Sequence, residues 1–210
     1  MEALRACPTN EDSENLKFRT ERTCSGRRKV GAAAQAVAPV GSDQAAVGTA
    51  DGAVQLWRLV PTAVRVRAMR PTGAASYSVR GLAVLDAAHV VAGHANGRLR
   101  VWNVRKGEPT AEIAEHANGI AAVAALDANR LVSGGIDGRV KLWAVDSASC
   151  LGTLVGHAAA VTAVVAHSPK IVASGCRDGD VRLWNVATLH QIATLRSPPG
   201  GTAPDRFSKH

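Results

Sequence analysis

The sequence RDGDVRLW at residues 177–184 is the last of four related segments that decide the fold of this 210-residue chain. The other three are ADGAVQLW at residues 50–57, ANGRLRVW at 95–102 and IDGRVKLW at 136–143. In each, a tight Asp-Gly or Asn-Gly pair follows the first residue and a Trp stands at the end, and the Trp residues recur at intervals of about 40 residues, a period typical of repeat architectures. Asp-Gly and Asn-Gly pairs favour hairpin turns, so each segment predicts a turn followed by a strand that ends at the Trp.

Apolar segments surround the four hairpins in a constant order. The strands predicted before the turns are residues 45–47, 89–92, 131–133 and 171–174. The strands predicted to open each repeat are residues 34–37, 79–82, 120–123 and 161–164, and those predicted to close it are 64–66, 112–113, 152–154 and 191–195. Four strands per repeat predict an all-β fold, a β-propeller whose blades are four-stranded antiparallel sheets arranged radially.

This frame resembles the WD-repeat family, and the resemblance covers residues 33–196 in four copies that share one register. The family's Trp-Asp ending is relaxed here, since other residues follow every Trp. The family also places Gly-His ahead of the Trp. Gly156-His157 retains both residues, and Glu115-His116 retains the His. The first two repeats lack this His. By resemblance, the chain is a non-catalytic scaffold or adaptor that binds other proteins or peptides.

The resemblance also implies two hydrogen-bonded tetrads. In the family, the His joins the turn Asp, a Ser or Thr of the second strand, and the Trp. The corresponding residues are His116, Ser133, Asp137 and Trp143 in the third repeat, and His157, Ser174, Asp178 and Trp184 in the fourth. A buried Trp N–H requires an acceptor, which a Ser hydroxyl can supply, so the expected role of the tetrads is structural.

The same Asp, His and Ser side chains also suggest a hydrolase triad. They recur at fixed distances from a Trp, however, and the chain has no G-x-S-x-G nucleophile motif. The four Cys residues are scattered and form no C-x-x-C pair, which disfavours a zinc site. We therefore predict no catalytic residues, no cofactor and no bound metal.

Basic residues alternate with apolar ones along the predicted third strands: Arg98, Arg100, Arg139, Lys141 and Arg182. We expect them on a solvated face of each sheet. A stripe that binds phosphate is the alternative, because the chain carries a net charge of +8 and a pI near 9.9. The second function hypothesis is therefore a nucleic-acid-associated or ribonucleoprotein-complex component, with nucleic acid less favoured than protein as a partner.

Partner binding in the family uses the face that carries the turns. The residue before the turn Asp and a neighbouring loop residue make Arg177, Ile136 and Asn118 the candidate partner-binding surface. Four blades are fewer than the seven usual in the family, and the two end blades would each lack a neighbour. The sequence thus predicts an incomplete propeller that self-associates or needs a completing partner chain.

The remaining predictions concern the ends of the chain and its location. Residues 1–32 are polar and mixed in charge, which predicts a disordered segment, and residues 197–210 predict a flexible Pro/Gly-rich tail. No apolar run approaches the roughly 20 residues that span a bilayer, so no membrane association is expected. The polar start has no signal-peptide character, and the scattered Cys residues favour a reducing compartment. We expect an intracellular protein, either cytoplasmic or nuclear.

Overall fold

The computed structural model describes residues 32–60, 63–71, 77–114 and 116–196. The disordered segment predicted for residues 1–32, apart from Ala32, and the tail predicted for 197–210 lie outside this part of the chain. In the part that is described, no helix is long and apolar enough to span a membrane.

In the described residues, sixteen strands form four antiparallel sheets, which we number as blades in chain order. Blade 1 contains β1 (Ala34–Val40), β2 (Gln44–Thr49), β3 (Val54–Arg58) and β4 (Val64–Met69). Blade 2 contains β5 (Val79–Val84), β6 (His89–His94), β7 (Arg98–Asn103) and β8 (Glu108–Ala114). Blade 3 contains β9 (Ile120–Ala125), β10 (Arg130–Gly135), β11 (Val140–Ala144) and β12 (Ser149–Leu154). Blade 4 contains β13 (Val161–Ser168), β14 (Ile171–Cys176), β15 (Val181–Asn185) and β16 (His190–Leu195). The predicted all-β fold of four four-stranded sheets is confirmed.

Two local features repeat in every blade and explain the shared register. The turn glycines Gly52, Gly97, Gly138 and Gly179 have φ values of 80°, 83°, 75° and 90°, a region that favours glycine. The pairing of the third and fourth strands shifts register at the Trp of each blade. A bulge of this kind bends the strand and increases its twist.

The blades pack side by side through apolar residues of small and medium size. Among the described residues, three apolar clusters lie between successive blades: one between blades 1 and 2, one between blades 2 and 3, and one between blades 3 and 4. Glycine permits the close approach. A β-carbon at Gly93 or Gly134 would lie 2.6 or 2.5 Å from a branched side chain on the first strand of the next blade. Three clusters among four blades describe an open arc, which agrees with the predicted incomplete propeller.

Packing on both sheet faces corrects one expectation from the sequence. We expected the basic residues of the third strands on a solvated face, but the side chains of Arg100 and Arg182 are only 13% and 15% exposed. Arg182 shares its face with Trp184, and both approach the position that a β-carbon of Gly156 would occupy, with the closest atoms 2.9 and 3.0 Å away. For these two residues the expectation was wrong because the sheet face that carries the Trp packs against the preceding blade. Arg98 remains 49% exposed, as expected.

The two ends of the arc expose apolar side chains that interior blades bury. Val37 on β1 is 70% exposed, and Leu195 on β16 is 58% exposed. Leu59, which follows β3, is also exposed. These residues lie in the first and last blades, where no neighbouring blade of the described chain covers them.

Candidate functional site

The tight turns that precede the third strands lie on one face of the arc, together with the loops that enter each blade. In all four blades, the residue before the turn Asp or Asn donates its backbone N–H to a carbonyl of the entering loop. These bonds are Ala50 to Ala33, Ala95 to Ser78, Ile136 to Gly119 and Arg177 to Ala160, with distances of 2.8–2.9 Å. We call this surface the turn face. The bonds hold its loops in fixed positions relative to the sheets.

Two of the three candidate partner-binding residues meet on the turn face where blades 2 and 3 adjoin. Ile136 is 40% exposed, and its δ1 carbon lies 3.1 Å from the position a β-carbon of Gly119 would take. The exposed Asn118 precedes Gly119. The same glycine closely approaches the carbonyl of Ala95 on blade 2. Ile136 and Asn118 therefore lie close together beside Gly119, while Arg177 is exposed one blade further along.

In blade 3, the structure brings together all four residues of the implied tetrad. Trp143 Nε1 donates to Ser133 Oγ over 2.7 Å, and His116 Nε2 lies 2.7 Å from the same oxygen. The other ring nitrogen of His116 lies 3.1 Å from Asp137 Oδ2. Asp137 Oδ1 also accepts the backbone N–H of Arg139 over 3.1 Å. These bonds connect the third strand, the second strand, the entering loop and the turn.

The pKa shifts of His116 and Asp137 indicate which atoms of this network carry protons. Burial lowers the pKa of His116, although Asp137 opposes the shift. Burial tends to raise the pKa of Asp137, but the hydrogen bonds from His116 and the Arg139 backbone lower it overall. A neutral His116 then donates from Nδ1 to an ionised Asp137 and accepts the Ser133 hydroxyl proton at Nε2. Every polar atom in the chain of bonds is satisfied, as buried networks require.

This arrangement does not support nucleophilic chemistry at Ser133. The residue is 0% exposed, and its oxygen already accepts the Trp143 N–H. A substrate would have to displace that bond inside the sheet. The resemblance to a hydrolase triad is therefore one of residue types rather than of an accessible site.

Blade 4 brings together only three of its four implied residues. Ser174 Oγ accepts from Trp184 Nε1 and bonds His157 Nε2, each over 2.7 Å. His157 Nδ1 is buried and has no hydrogen-bond partner in the described structure. Asp178 instead accepts a hydrogen bond from the thiol of Cys176. The last blade therefore keeps the Trp anchor but not the bond from the His to its turn.

His157, Cys176 and Asp178 are also grouped closely enough to suggest a metal ion, with their ligand atoms within 4.8 Å of one another. Burial and the bond to Asp178 raise the pKa of the Cys176 thiol. A metal would need the thiolate instead. We therefore interpret the group as a hydrogen-bonded thiol and carboxylate beside an unpaired imidazole nitrogen.

The first two blades use other partners, which sequence reasoning missed. In blade 1, Trp57 Nε1 donates to Gln55 Oε1 over 3.2 Å, and the Thr49 hydroxyl bonds Asp51 over 2.5 Å. In blade 2, Trp102 Nε1 is buried without a partner, because Ala92 occupies the position of Ser133. The signal in the sequence was the absence of a Ser at this position. That absence predicts that the Trp N–H lacks its usual acceptor, but it does not predict which group replaces the Ser.

The basic residues of the third strands bind groups within their own blades. Arg98 and Arg100 both bond Glu112 on the neighbouring strand, with Arg100 at 2.7 Å. Arg182 donates to Gln191 over 2.5 Å. The Lys141 ammonium lies 5.6 Å from the centre of the Trp143 ring. The Glu112 carboxylate offsets part of the positive charge of Arg98 and Arg100, and the other contacts engage the cationic groups of Arg182 and Lys141 within their own blades.

Comparisons with known proteins match both the repeat and the fold. The family model "WD domain, G-beta repeat" matches residues 107–144 and 148–185. No curated protein matches the chain. The solved structure "Structure of U3-55K" is similar with a TM-score of 0.73 and 21% identity, covering 80% of this chain and 53% of that one. "Crystal structure of RRP9 WD40 repeats" is similar with a TM-score of 0.73 and 20% identity, covering 80% of this chain and 52% of that one. The chain thus spans about half the length of these two structures, and at this identity they establish the fold alone.

Proposed function

We propose that this chain, whose third and fourth repeats match the WD-repeat model, is a non-catalytic scaffold or adaptor that binds other proteins or peptides. The observation that carries the proposal is Ile136, a branched apolar side chain 40% exposed at a tight turn on the turn face. Exposed apolar side chains in fixed positions contribute binding energy at protein interfaces without a large ordering cost.

Rigidity supports this role for Ile136. Its backbone N–H is held by Gly119, and the following residue, Asp137, accepts bonds from His116 and the Arg139 backbone. The side chain is therefore presented by a turn that is fixed on both sides. Asn118 adds a polar group beside it, and Arg177 adds a positive charge on the next blade, so an acidic or amphipathic peptide segment suits this surface.

Affinity purification from the native cell tests the proposal, with bound proteins compared between the wild-type chain and the double variant Ile136→Glu, Arg177→Glu. We expect the variant to lose specific partners that the wild-type chain retains. The control is Leu151→Glu, Lys170→Glu, which changes an exposed apolar and an exposed basic residue away from the turn face. Equal loss of partners by both variants, or by neither, would contradict the assignment of the turn face.

The alternative function is that of a nucleic-acid-associated or ribonucleoprotein-complex component, which the net charge of +8 favours. The pairing of Arg98, Arg100 and Arg182 within their own blades weakens it. Binding to RNA or DNA that weakens steeply with added salt would support this alternative, because phosphate contacts release counterions. Binding that is insensitive to salt and is lost in the turn-face variant would support the scaffold.

Two further parts of the proposal concern assembly and location. The exposed apolar faces at both ends of the arc support self-association or a completing partner chain. We also propose an intracellular location, in the cytoplasm or the nucleus. The free thiols of Cys150 and Cys176 support a reducing compartment.

A further inference from the structure

The outer face of blade 4 carries the same apolar positions that the other blades use to bind their successors. In blade 3, Val140, Leu142 and Leu154 are buried against blade 4. The residues at the same distances from the Trp in blade 4 are Val181, Leu183 and Leu195. Val181 is 37% exposed and Leu195 is 58% exposed. Blade 4 therefore has the surface of an interior blade and lacks only the neighbour.

Gly175 in blade 4 also shows that the neighbouring blade is missing from the described residues. Gly48, Gly93 and Gly134 stand at one position of their repeats, and the space beside each is filled by Val79, Ile120 and Val161, respectively, from the next blade. Gly175 occupies that position in blade 4. A β-carbon there would find its nearest atoms at 4.0 Å, and both belong to blade 4 itself. The fourth glycine thus leaves room for an incoming first strand that the described arc does not supply.

The face of blade 1 that points away from blade 2 carries the residues that other blades use to pack on the preceding blade. Val123 and Val164, on the first strands of blades 3 and 4, pack against the preceding blade. Val37 stands at the same position on β1 and is 70% exposed. Val104 and Val186, two residues after their Trp, are buried, whereas the equivalent Leu59 is exposed. Blade 1 therefore presents the residues that a preceding blade would cover.

We propose that the open face of blade 4 binds blade 1 of a second copy of this chain, so that two copies close one eight-blade ring. The interface repeats the register of the three contacts within each chain, with β1 of one copy lying against Gly175 of the other. The second copy is the occupant because Val37 of its β1 stands at the position from which Val123 and Val164 approach the glycines of the preceding blades. The position of Ile120 and Val161 is taken in β1 by the smaller Ala34, so Val37 supplies the larger apolar side chain.

In a head-to-tail contact, one end of a copy binds the opposite end of the next copy. The assembly closes only if the rotation between successive copies brings the last copy back to the first. Two four-blade arcs would form two identical contacts, and eight blades fall within the range of about four to eight blades known for propellers. The inference rests on the self-association proposed above and concerns the ends of the arc, whereas the partner-binding part of the proposed function concerns the turn face. The assembly can therefore be tested without knowledge of any partner.

Sedimentation equilibrium of the full chain at micromolar concentration tests the ring. We expect a mass twice the 21.7 kDa of one chain. Gly175→Val places a branched side chain in the space left for β1, and its β-carbon would meet no atom of its own chain closer than 4.0 Å. Val37→Glu places a charge on the opposite face. Each variant should be monomeric with an unchanged β-sheet circular dichroism spectrum. A mixture of the two should form a one-to-one dimer, because the blade 4 face of Val37→Glu and the blade 1 face of Gly175→Val are both intact.

Val155→Glu is the matched control, since Val155 is exposed to 69% and lies between blades 3 and 4, away from both end faces. It should retain the wild-type dimer. A monomeric wild-type chain would overturn the proposal, as would a growing series of oligomers, which indicates a contact that does not close. A dimer that only one of the two end variants disrupts would also overturn it, because that pattern indicates a symmetric contact between like ends. Binding of a different protein at the blade 4 face in place of the second copy would leave the purified chain monomeric.

Discussion

Trp143 donates its indole N–H to Ser133 Oγ over 2.7 Å, and this one bond joins the third strand of blade 3 to the second. The same oxygen lies 2.7 Å from His116 Nε2, so the Trp is connected through Ser133 to the loop that enters the blade. The turn beside Ile136 is fixed from the inside of the sheet by this network. The stability of blade 3 and the position of the exposed Ile136 side chain are therefore linked.

Ser133→Ala should destabilise the chain by about 1–3 kcal/mol, because it leaves the Trp143 N–H and the His116 Nε2 buried without a partner. Denaturant melts followed by Trp fluorescence measure the loss. Ser147→Ala is the control, since Ser147 is exposed and its hydroxyl bonds the hydroxyl of Ser149. Equal midpoints for Ser133→Ala and wild type would contradict the tetrad.

Ala92→Ser should stabilise blade 2 by about 1 kcal/mol, because a hydroxyl at this position can accept the unpaired Trp102 N–H. Ala92 occupies the position of Ser133 in its repeat, and the strand pairing around it is the same. A denaturant melt compares it with Ala46→Ser, which buries a hydroxyl in an apolar cluster and should destabilise. The prediction is wrong if the two substitutions shift the midpoint in the same direction.

Acid should weaken the fold, starting near neutral pH. Burial holds the pKa of His116 below its ordinary value of 6.5, so below that pH the unfolded chain binds the proton more readily than the folded chain. The stability is fully present above the ordinary value and is lost as pH falls toward the folded pKa. Asp137 adds a second loss at lower pH, as the pH falls below its ordinary value of 3.8 and through its depressed folded pKa.

Thermal melts across this range measure the effect. His116→Gln cannot take up the proton and should show a smaller loss of melting temperature between neutral and mildly acidic pH. His190→Gln changes an exposed His and should keep the wild-type slope. Identical slopes for both variants would exclude His116 as the source.

Arg182→Ala should cost more than the roughly 0.5 kcal/mol typical of an exposed site, because its side chain packs beside Trp184 and bonds Gln191. Arg105→Ala, at an exposed position, provides the reference. Trp184→Ala sets the upper bound at about 3–5 kcal/mol, as for other large-to-small changes in a core. In denaturant melts, the loss of stability should increase from Arg105→Ala to Arg182→Ala to Trp184→Ala. Equal values for Arg182→Ala and Arg105→Ala would show that packing between blades does not hold Arg182.

Gly134→Ala should cost about 1–3 kcal/mol through overpacking, because the new β-carbon would lie 2.5 Å from Val161 Cγ1. Gly175→Ala adds the same methyl group where the nearest atoms are 4.0 Å away. It should be neutral or slightly stabilising at concentrations low enough to keep the chain monomeric. Denaturant melts of the two variants test this difference, and a similar cost for both would mean that the blade 4 face is already covered in the monomer.

The sequence predicted the strands well because their signals are local. An Asp-Gly or Asn-Gly pair sets a turn whatever surrounds it, and alternating apolar residues on either side set the strands. The grouping of His116, Ser133, Asp137 and Trp143 could also be anticipated, since a repeated register places their positions together in every blade. The two end faces followed from the count of repeats.

Contacts between blades could be decided only by the tertiary structure. Arg182 was expected on a solvated face, and it is nearly buried because the side of a third strand is covered by the adjacent blade. Asp178 was expected to bind His157, but it accepts the thiol of Cys176 at the end of the preceding strand. The sequence determines which residues each blade can offer. The packing of one blade on the next determines which of them are buried, which are paired and which, as at Gly175, still lack a neighbour.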